Sequence, residues 1–357
     1  MADAKHVRRV GVTAERSRWK SPVLRLVAVF ASVVSLGGAG RARADVAFLG
    51  QAFAHAGYDY APSFMFGDGP EIRSWWCGQG PGGDNVFHAS WGPSGWHDIR
   101  VVLAPTPGSW DAAHACDPSV VMGSFTFGGT AYRYAMYYTG TDRPESSGIE
   151  NRIGVAVSND GLSWVKVPAP VVSPAVLPSG TYGAGMPSAW SPGGSEVWLT
   201  YLDSTASPAN GIFLRQSADG TTFGPAVATS LDGGRGQQGA DIAYDGEAHR
   251  WFAAVKMDRD LNVILLQSCG DPDRGADSIL ARWIEIGFLN GTNTGRPMNH
   301  NPGLLRWPGG NARHDEAASF FVQFGWGDFD PATWELAWGR FTAAPDGDGD
   351  CHLGPAD

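Results

Sequence analysis

The chain has 357 residues, of which 11% are aromatic and 17% are charged, and it contains 49 glycines and 24 prolines. Such a high content of turn-forming residues in a chain of this length favours a large fold of many short strands. The formal net charge is −10 at pH 7, and an acidic surface repels phosphate backbones, which excludes nucleic acid as a partner. No glycine-rich phosphate-binding motif stands between a strand and a helix.

The first 44 residues have the pattern of a secretory signal peptide. Basic residues crowd the first twenty positions, an apolar stretch covers residues 26–39, and Ala42-Arg43-Ala44 offers small residues at a cleavage site. A membrane-spanning helix needs about 20 apolar residues, which is more than this stretch provides. We therefore predict cleavage after Ala44, a secreted or periplasmic mature protein, and no membrane association after cleavage.

A repeated motif organises the mature chain. The pattern S-x-D-G-x-x-[WF] occurs at Ser158 and again at Ser217, 59 residues further on, each time after a strand-like run. In such a turn the Asp side chain caps the backbone and the aromatic residue folds back onto a sheet. Asp160 and Asp219 are therefore predicted to be structural, and the fixed period predicts a repeat architecture.

Weaker copies extend the repeat over residues 45–343. Each unit opens with a strand that begins near a proline or a small residue, and four strands are predicted per unit, with no convincing helix between units. This pattern predicts an all-β fold, a five-bladed β-propeller of four-stranded antiparallel blades. Residues 46–53 are expected to supply the outer strand that the last unit lacks, because an open propeller exposes strand edges. The five predicted starts are Pro62, Pro118, Pro187, Ala240 and Pro302.

The C-terminal residues 344–357 alternate Asp and Gly at their beginning, like the first half of a calcium-binding loop. The bidentate Glu that completes such a loop is missing, so we predict an acidic flexible tail. The nine histidines show no spacing typical of zinc ligands, and no metal-ligand set is predicted.

The four cysteines, Cys77, Cys116, Cys269 and Cys351, all follow the predicted export signal. In an oxidising compartment an even number favours disulfides, and no C-x-x-C spacing indicates a metal site. Cys77 lies in the second strand of the first unit and Cys116 opens the second unit, so a bridge between neighbouring blades is predicted. Cys269 and Cys351 form the remaining pair, and free buried thiols are the alternative.

Two segments of the chain resemble the five-bladed propeller glycoside hydrolases of families 43, 32 and their relatives. They read AMYYTG…RIGVAVSNDGLSW and PSAWSPGGSEVWLTYLD…GIFLRQSADGTTF. The resemblance covers about residues 45–342 and is specific for the blade pattern, much less for the chemistry. It implies a carbohydrate partner and a site at the central channel. Relatives sometimes hold calcium in that channel, which the sequence leaves open; no other cofactor is predicted, and we expect a monomer.

Glycosidic cleavage in these families uses two carboxylates on opposite sides of the bond. By resemblance, Asp59 is the base or nucleophile, and Asp117 is the second aspartate that raises the pKa of the acid and orients the sugar. The general-acid Glu expected at the third blade is missing, because residues 181–187 hold no carboxylate. Losing the acid costs roughly 10²–10⁴-fold in rate. Asp241 and Glu316 are the candidate replacements.

Aromatic and polar residues near the channel are the candidate sugar contacts. Trp75 and Trp76 are adjacent in one strand and therefore face opposite sides of it. For each tryptophan, packing between blades is the alternative role. The predicted substrate-binding residues are Trp76, His114, Tyr138, Tyr182, Tyr201 and His300.

Three functions remain open at this point. The first is an exported glycoside hydrolase acting on glycans that contain arabinose, xylose or fructose. The positions of Asp59 and Asp117 favour this function. The second is a non-catalytic glycan-binding propeller, which the missing third-blade Glu favours. The third is a protein-interaction platform, which would present an exposed apolar patch on one face.

Overall fold

The computed structural model describes residues 45–342 apart from 54, 68, 70, 144–148, 232–236, 247–248, 258–261, 270–271 and 313–318. The predicted signal peptide, the acidic tail, Glu316 and Cys351 lie outside the described residues. The strands are β1 (Asp45–Phe53), β2 (Asp59–Phe66), β3 (Ile72–Gly80), β4 (Gly83–Gly92), β5 (Gly95–Leu103), β6 (His114–Phe127), β7 (Thr130–Thr141), β8 (Arg152–Ser158), β9 (Val165–Lys166), β10 (Ala184–Gly193), β11 (Glu196–Asp203), β12 (Gly211–Ser217), β13 (Val227–Ala228), β14 (Gln237–Asp245), β15 (Arg250–Met257), β16 (Asn262–Cys269), β17 (Arg282–Leu289), β18 (Met298–Arg306), β19 (Ser319–Gly327) and β20 (Glu335–Thr342).

Consecutive strands pair in antiparallel groups of four, which we call modules. Module 1 is β2–β5, module 2 is β6–β9, module 3 is β10–β13 and module 4 is β14–β17. Module 5 consists of β18, β19, β20 and β1, so residues 46–53 pair with the last unit as predicted. The all-β prediction of four-stranded antiparallel sheets is therefore confirmed.

Helical segments are short in the described part of the chain. They are two 3-10 helices, Pro272–Leu280 and Pro331–Thr333, and one α-helical turn, Gly291–Thr294. Among the described residues, no helix has the length and apolar character that a membrane span requires.

The first strand of every module contains the same irregularity. In module 2 the register of β6 with β7 shifts between Cys116 and Ser119, and Asp117 has a φ of 45°. The residue before a proline avoids the right-handed helical region, and a bulge places the missing proline N–H outside the ladder. The equivalent residues in the other modules also have positive φ, and we call all five the ring residues. They are Ala61, Asp117, Met186, Gly239 and Asn301.

The bulges correct the predicted strand starts. The first strands begin three or four residues before the predicted starts, because the chain passes through the proline instead of beginning at it. Asp59, for example, opens β2 ahead of Pro62, and His114 opens β6 ahead of Pro118.

In modules 1 to 4, the side chain two residues after the ring residue ties its module to the next one. At the fifth equivalent position stands Gly303, where a Cβ would lie 2.0 Å from the Pro62 carbonyl oxygen. Lacking a side chain there, β18 instead pairs directly with β2 in parallel, with Leu305 opposite Phe64. The four side-chain ties are Val120 N–H to Ser63 Oγ (3.0 Å), Ala189 N–H to Ser119 Oγ (2.9 Å), Ile242 N–H to Ser188 Oγ (2.9 Å) and Leu304 N–H to Asp241 Oδ2 (2.7 Å).

Arg306, at the end of β18, lies at the centre of these ties and is completely buried. From module 5 its guanidinium reaches groups in modules 1 to 4, so one side chain contacts the first strand of every other module. A buried charge needs such a set of partners to offset its desolvation. Its partners are the carbonyls of Ala189 (3.0 Å) and Ile242 (3.1 Å), the hydroxyls of Ser63 (3.2 Å) and Ser119 (3.5 Å), and Asp241 Oδ1 (3.2 Å).

Both copies of the S-x-D-G-x-x-[WF] turn also join neighbouring modules. Asp160 Oδ1 accepts two backbone N–H groups of its own turn at 2.7 and 2.8 Å. The Gly161 carbonyl then accepts the indole N–H of Trp75 in module 1 at 2.9 Å. The Gly220 carbonyl accepts the hydroxyl of Tyr137 in module 2 at 2.7 Å. Each turn therefore contacts the second strand of the preceding module.

A disulfide bond and aromatic contacts also connect neighbouring modules. Cys77 and Cys116 form the predicted disulfide between modules 1 and 2. Cys269 is also disulfide-bonded, and its predicted partner Cys351 lies outside the described residues. Between modules 3 and 4, the rings of Trp190 and Trp251 pack edge to face with their centroids 5.0 Å apart.

Candidate functional site

A cavity lies where the five ring residues meet. Each module contributes its ring residue and the residue that follows, so the first strands of all five modules line it. Prolines supply much of the wall, and two lining residues, Asp117 and Asp241, carry carboxylates. The complete lining is Ala61, Pro62, Asp117, Pro118, Met186, Pro187, Gly239, Ala240, Asp241, Asn301 and Pro302.

Asp117 has the properties of a ligand-binding group in this cavity. The residue is 9% exposed, and among the described residues its Oδ1 has no hydrogen-bond partner. Burial raises the pKa of Asp117 to about 6; a hydrogen bond from Thr139 lowers it, and the charge of Asp84 raises it. A buried acceptor without a partner is costly, so a ligand donor that reaches Oδ1 would bind favourably.

Asp241 differs because both of its oxygens are engaged by the protein. Oδ1 accepts the Ser188 hydroxyl at 2.6 Å and lies 3.2 Å from Arg306, and Oδ2 accepts the Leu304 N–H. Burial raises the pKa of Asp241, and the Arg306 charge opposes this shift. These contacts favour a structural role for Asp241. Its predicted catalytic role stays a prediction that this geometry does not support.

Asp59 lies two residues before its ring residue and is not part of the cavity lining. It is buried, and its Oδ1 accepts the indole N–H of Trp76 at 2.6 Å. Burial raises the pKa of Asp59 to about 7, while the Trp76 bond lowers it and the charge of Glu335 raises it. Because of the bulge, Ala61 occupies the ring position of module 1. The structure thus does not bring the predicted pair, Asp59 and Asp117, together at the cavity.

A group of tyrosine, aspartate and histidine side chains lies next to two of the ring residues. Tyr60 and His300 directly precede ring residues, and their rings are 5.9 Å apart. The Tyr60 hydroxyl donates to Asp84 Oδ2 at 3.1 Å, and the Tyr58 hydroxyl donates to Asp84 Oδ1. Burial and then the charge of Lys256 lower the pKa of His300 to about 3, so its imidazole is neutral at physiological pH.

Thr139 connects module 2 to module 3, and Tyr182 lies close to Asp117. The Thr139 hydroxyl oxygen accepts the Met186 N–H at 2.9 Å. The buried Tyr182 hydroxyl has no hydrogen-bond partner among the described residues. Burial, followed by the charge of Asp117, raises the pKa of Tyr182 well above its usual value. Tyr182 therefore keeps its proton and can donate a hydrogen bond beside Asp117.

The remaining predicted sugar contacts lie outside the cavity lining. Trp76, Tyr138 and Tyr201 are buried inside the modules, and His114 is half-buried at the start of β6. Their positions are those of packing residues. Trp76 stacks on Phe87 at 5.8 Å, the Tyr138 hydroxyl donates to Asp111 at 3.1 Å, and the Tyr201 hydroxyl accepts a bond from Arg215 at 3.0 Å.

Asp84 was not predicted from the sequence as a site residue. It follows Gly82-Gly83, which reads as the turn of a hairpin, and it stands second in β4. The alternation of side chains along β4 does not by itself indicate that the Asp84 carboxylate reaches two tyrosines around the start of β2. The tyrosines themselves, Tyr58 and Tyr60 on either side of Asp59, are the signal that could have drawn attention to it.

Neither of two conceivable metal sites in the described region fits a metal ion well. Donor atoms of Cys77, Asp84 and Cys116 lie within 4.8 Å of one another, but the two sulfurs form a disulfide and are not thiolates. Calcium takes six to eight oxygen ligands. The second site is the cavity, where Asp117 has one unpaired carboxylate oxygen and Asp241 is already paired with the Arg306 guanidinium. These two carboxylates do not provide the oxygen ligands that calcium needs.

No family model and no curated protein matches the sequence. Solved structures do match in fold. A family 117 glycoside hydrolase from Zobellia galactanivorans is 13% identical, with a TM-score of 0.57 over 84% of this chain and 90% of that one. The catalytic domain of the family 62 α-L-arabinofuranosidase from Coprinopsis cinerea is 13% identical, with a TM-score of 0.55 over 85% and 98%.

A third match is the α-L-arabinofuranosidase from Lactobacillus brevis, which is 10% identical, with a TM-score of 0.52 over 80% of this chain and 91% of that one. At these identities the likeness establishes the fold and nothing further. The resemblance to propeller glycoside hydrolases that the sequence indicated is thereby confirmed at the level of the fold.

Proposed function

We propose that the protein is an exported, glycoside-hydrolase-like propeller that binds a poly- or oligosaccharide at the cavity around Asp117. In this proposal the five modules are the blades of a closed ring, with β1 as the outer strand of the fifth blade. The protein is secreted or periplasmic, monomeric, and works without a bound cofactor. The fold shared with glycoside hydrolases supports a carbohydrate ligand.

One observation carries the proposal most. Asp117 is buried in a cavity lined by all five modules and keeps an unpaired carboxylate oxygen that faces no other protein donor in the described structure. Sugars present many hydroxyl donors, and a carboxylate is an acceptor that binds them strongly. The proline-rich wall would shield this bond from water.

Binding is better supported than hydrolysis. Cleavage needs two carboxylates that flank the glycosidic bond. Among the ring residues, Ala61 and Met186 stand in modules 1 and 3, and Asp117 alone carries a carboxylate. Hydrolysis is nevertheless the second candidate, because a carboxyl group with its pKa raised to about 6 is suited to act as a general acid.

The proposal is tested with the mature protein, residues 45–357. Oligosaccharides from arabinoxylan, arabinan and inulin are screened for binding by calorimetry and for product formation, beside aryl glycosides of arabinose and xylose. The arabinose-containing probes are chosen because two proteins of similar fold are named α-L-arabinofuranosidases. Saturable binding that Asp117→Asn weakens supports the proposal, and turnover lost in the same variant would make the protein a hydrolase.

The matched control is Asp98→Asn, which removes a carboxylate from an exposed position in module 1. Binding equally weakened by both variants would indicate a general effect of charge and contradict a site at Asp117. Absence of both binding and turnover across the panel would contradict the proposed function and would direct attention to a protein partner.

A further inference from the structure

We propose that Asp84 is a second carboxylate that contacts the ligand of this site, held in place by Tyr58 and Tyr60. The inference rests on the proposed function and names the residue through which module 1 takes part in it. Module 1 has Ala61 at its ring position and so supplies no carboxylate there. Asp84 would supply that group from β4 instead, from a position outside the cavity lining.

The two tyrosines fix the orientation of the Asp84 carboxylate. The Tyr60 hydroxyl donates to Oδ2 at 3.1 Å, the Tyr58 hydroxyl donates to Oδ1, and the two rings lie 6.1 Å apart. An ionised carboxylate has about four acceptor positions. Two therefore remain for donors of a ligand, and Asp84 is only half-buried, which leaves it accessible.

The disulfide lies beside Asp84 and joins module 1 to the strand of Asp117. Cys116 directly precedes Asp117, and its Sγ lies 3.7 Å from Asp84 Oδ2 and 3.0 Å from the Tyr60 hydroxyl oxygen. Its bond to Cys77 ties this point of β6 to β3 of module 1. The positions of the two carboxylates are thus fixed relative to each other by a covalent bridge between their modules.

The unpaired oxygen of Asp117 is the independent sign that a ligand donor belongs here. Asp117 is 9% exposed and lines the cavity. The charged and titratable groups around it are Asp84 and Tyr60 of module 1, Lys256 of module 4, and Tyr182, which precedes β10. Two carboxylates close to the same tyrosine suit a ligand that presents several hydroxyl donors at once, as a sugar does.

The test replaces Asp84 by Asn, which keeps an oxygen for a tyrosine hydroxyl but removes the charge. Asp98→Asn is the control, since its side chain is 58% exposed and lies in the same module. Affinity for arabinoxylan, arabinan and inulin oligosaccharides is measured by calorimetry at pH 7. The pKa of Asp117 is measured in the unliganded protein from the chemical shift of its carboxyl carbon, followed by nuclear magnetic resonance as the pH is varied.

We expect Asp84→Asn to weaken binding by about tenfold or more, because a charge-assisted hydrogen bond is lost. It should also lower the pKa of Asp117, since the charge of Asp84 raises it, while Asp98→Asn changes neither quantity. Wild-type affinity in Asp84→Asn overturns the inference alone, whatever the titration shows. A wild-type protein that binds no member of the panel overturns the proposed function, and the inference with it.

Discussion

Arg306 of module 5 and Asp241 of module 4 form an ion pair at 3.2 Å, and Asp241 at the same time lines the cavity. Arg306 is completely buried, and it follows the ring residue of its strand by five positions. The pair therefore ties module 5 to module 4 directly beside the cavity.

Replacing Arg306 by Met should lower the free energy of unfolding by about 3–5 kcal/mol, because Asp241 is left as an unpaired buried charge. The double variant with Asp241→Asn should lose less than the sum of the two single variants, since the residues share one network. Urea unfolding monitored by tryptophan fluorescence measures all three. A single Arg306→Met variant within about 0.5 kcal/mol of wild type would contradict the central role of this side chain.

The two turn aspartates should make the protein sensitive to acid. Partial burial alone would raise the pKa of Asp160, but backbone hydrogen bonds from Ser163 and Leu162 lower it to about 2, and Asp219 is held at about 2 in the same way. The unfolded-state pKa is about 3.9. The stability from these groups is therefore complete above about pH 4 and is lost as the pH falls toward 2.

Unfolding measured from pH 5 to pH 2 should show this loss in the wild type and a weaker loss in the Asp160→Asn, Asp219→Asn double variant. Asn is chosen because it keeps one oxygen for the turn and removes the titration. Parallel curves for the two proteins over this range would mean that the turns do not depend on the ionised form.

Asp59 should have the opposite dependence on pH. Burial raises its pKa to about 7, so the folded protein holds a proton that the unfolded chain releases at about pH 4. Stability from this group is complete below about pH 4 and is lost as the pH rises toward 7, because ionising a buried carboxyl is unfavourable. Asp59→Asn should therefore gain stability relative to wild type over this interval, as measured by thermal or urea unfolding. A constant difference between the two would contradict the raised pKa.

The repeat made the fold predictable, because a turn motif of defined geometry marks where strands end. Its two strong copies contain Asp160-Gly161 and Asp219-Gly220. The pairing of residues 46–53 with the last unit followed from the need to cover an edge, and it is present. The Cys77–Cys116 bridge followed from the same strand assignments.

The site was less predictable because it depends on register and on side-chain direction. Asp117 stands at the bulge of β6, whereas Asp59 stands two residues before the equivalent bulge of β2, and the sequence pattern does not reveal this difference in register. Tyr138 and Tyr201 were predicted to contact sugar, yet their hydroxyls are bonded inside the modules. Arg306 was not identified at all, since one basic residue at a strand end is usually exposed.

The position of the ligand tests the account most directly. Met186 is the ring residue of module 3 and lines the cavity, whereas Met65 and Met136 are buried in the core away from it. With methyl-labelled methionine, titration of the wild-type protein with the oligosaccharide that binds best in the screen should shift the Met186 signal and leave those of Met65 and Met136 in place. Saturable binding with an unchanged Met186 signal would show that the glycan binds elsewhere and would contradict a site at Asp117.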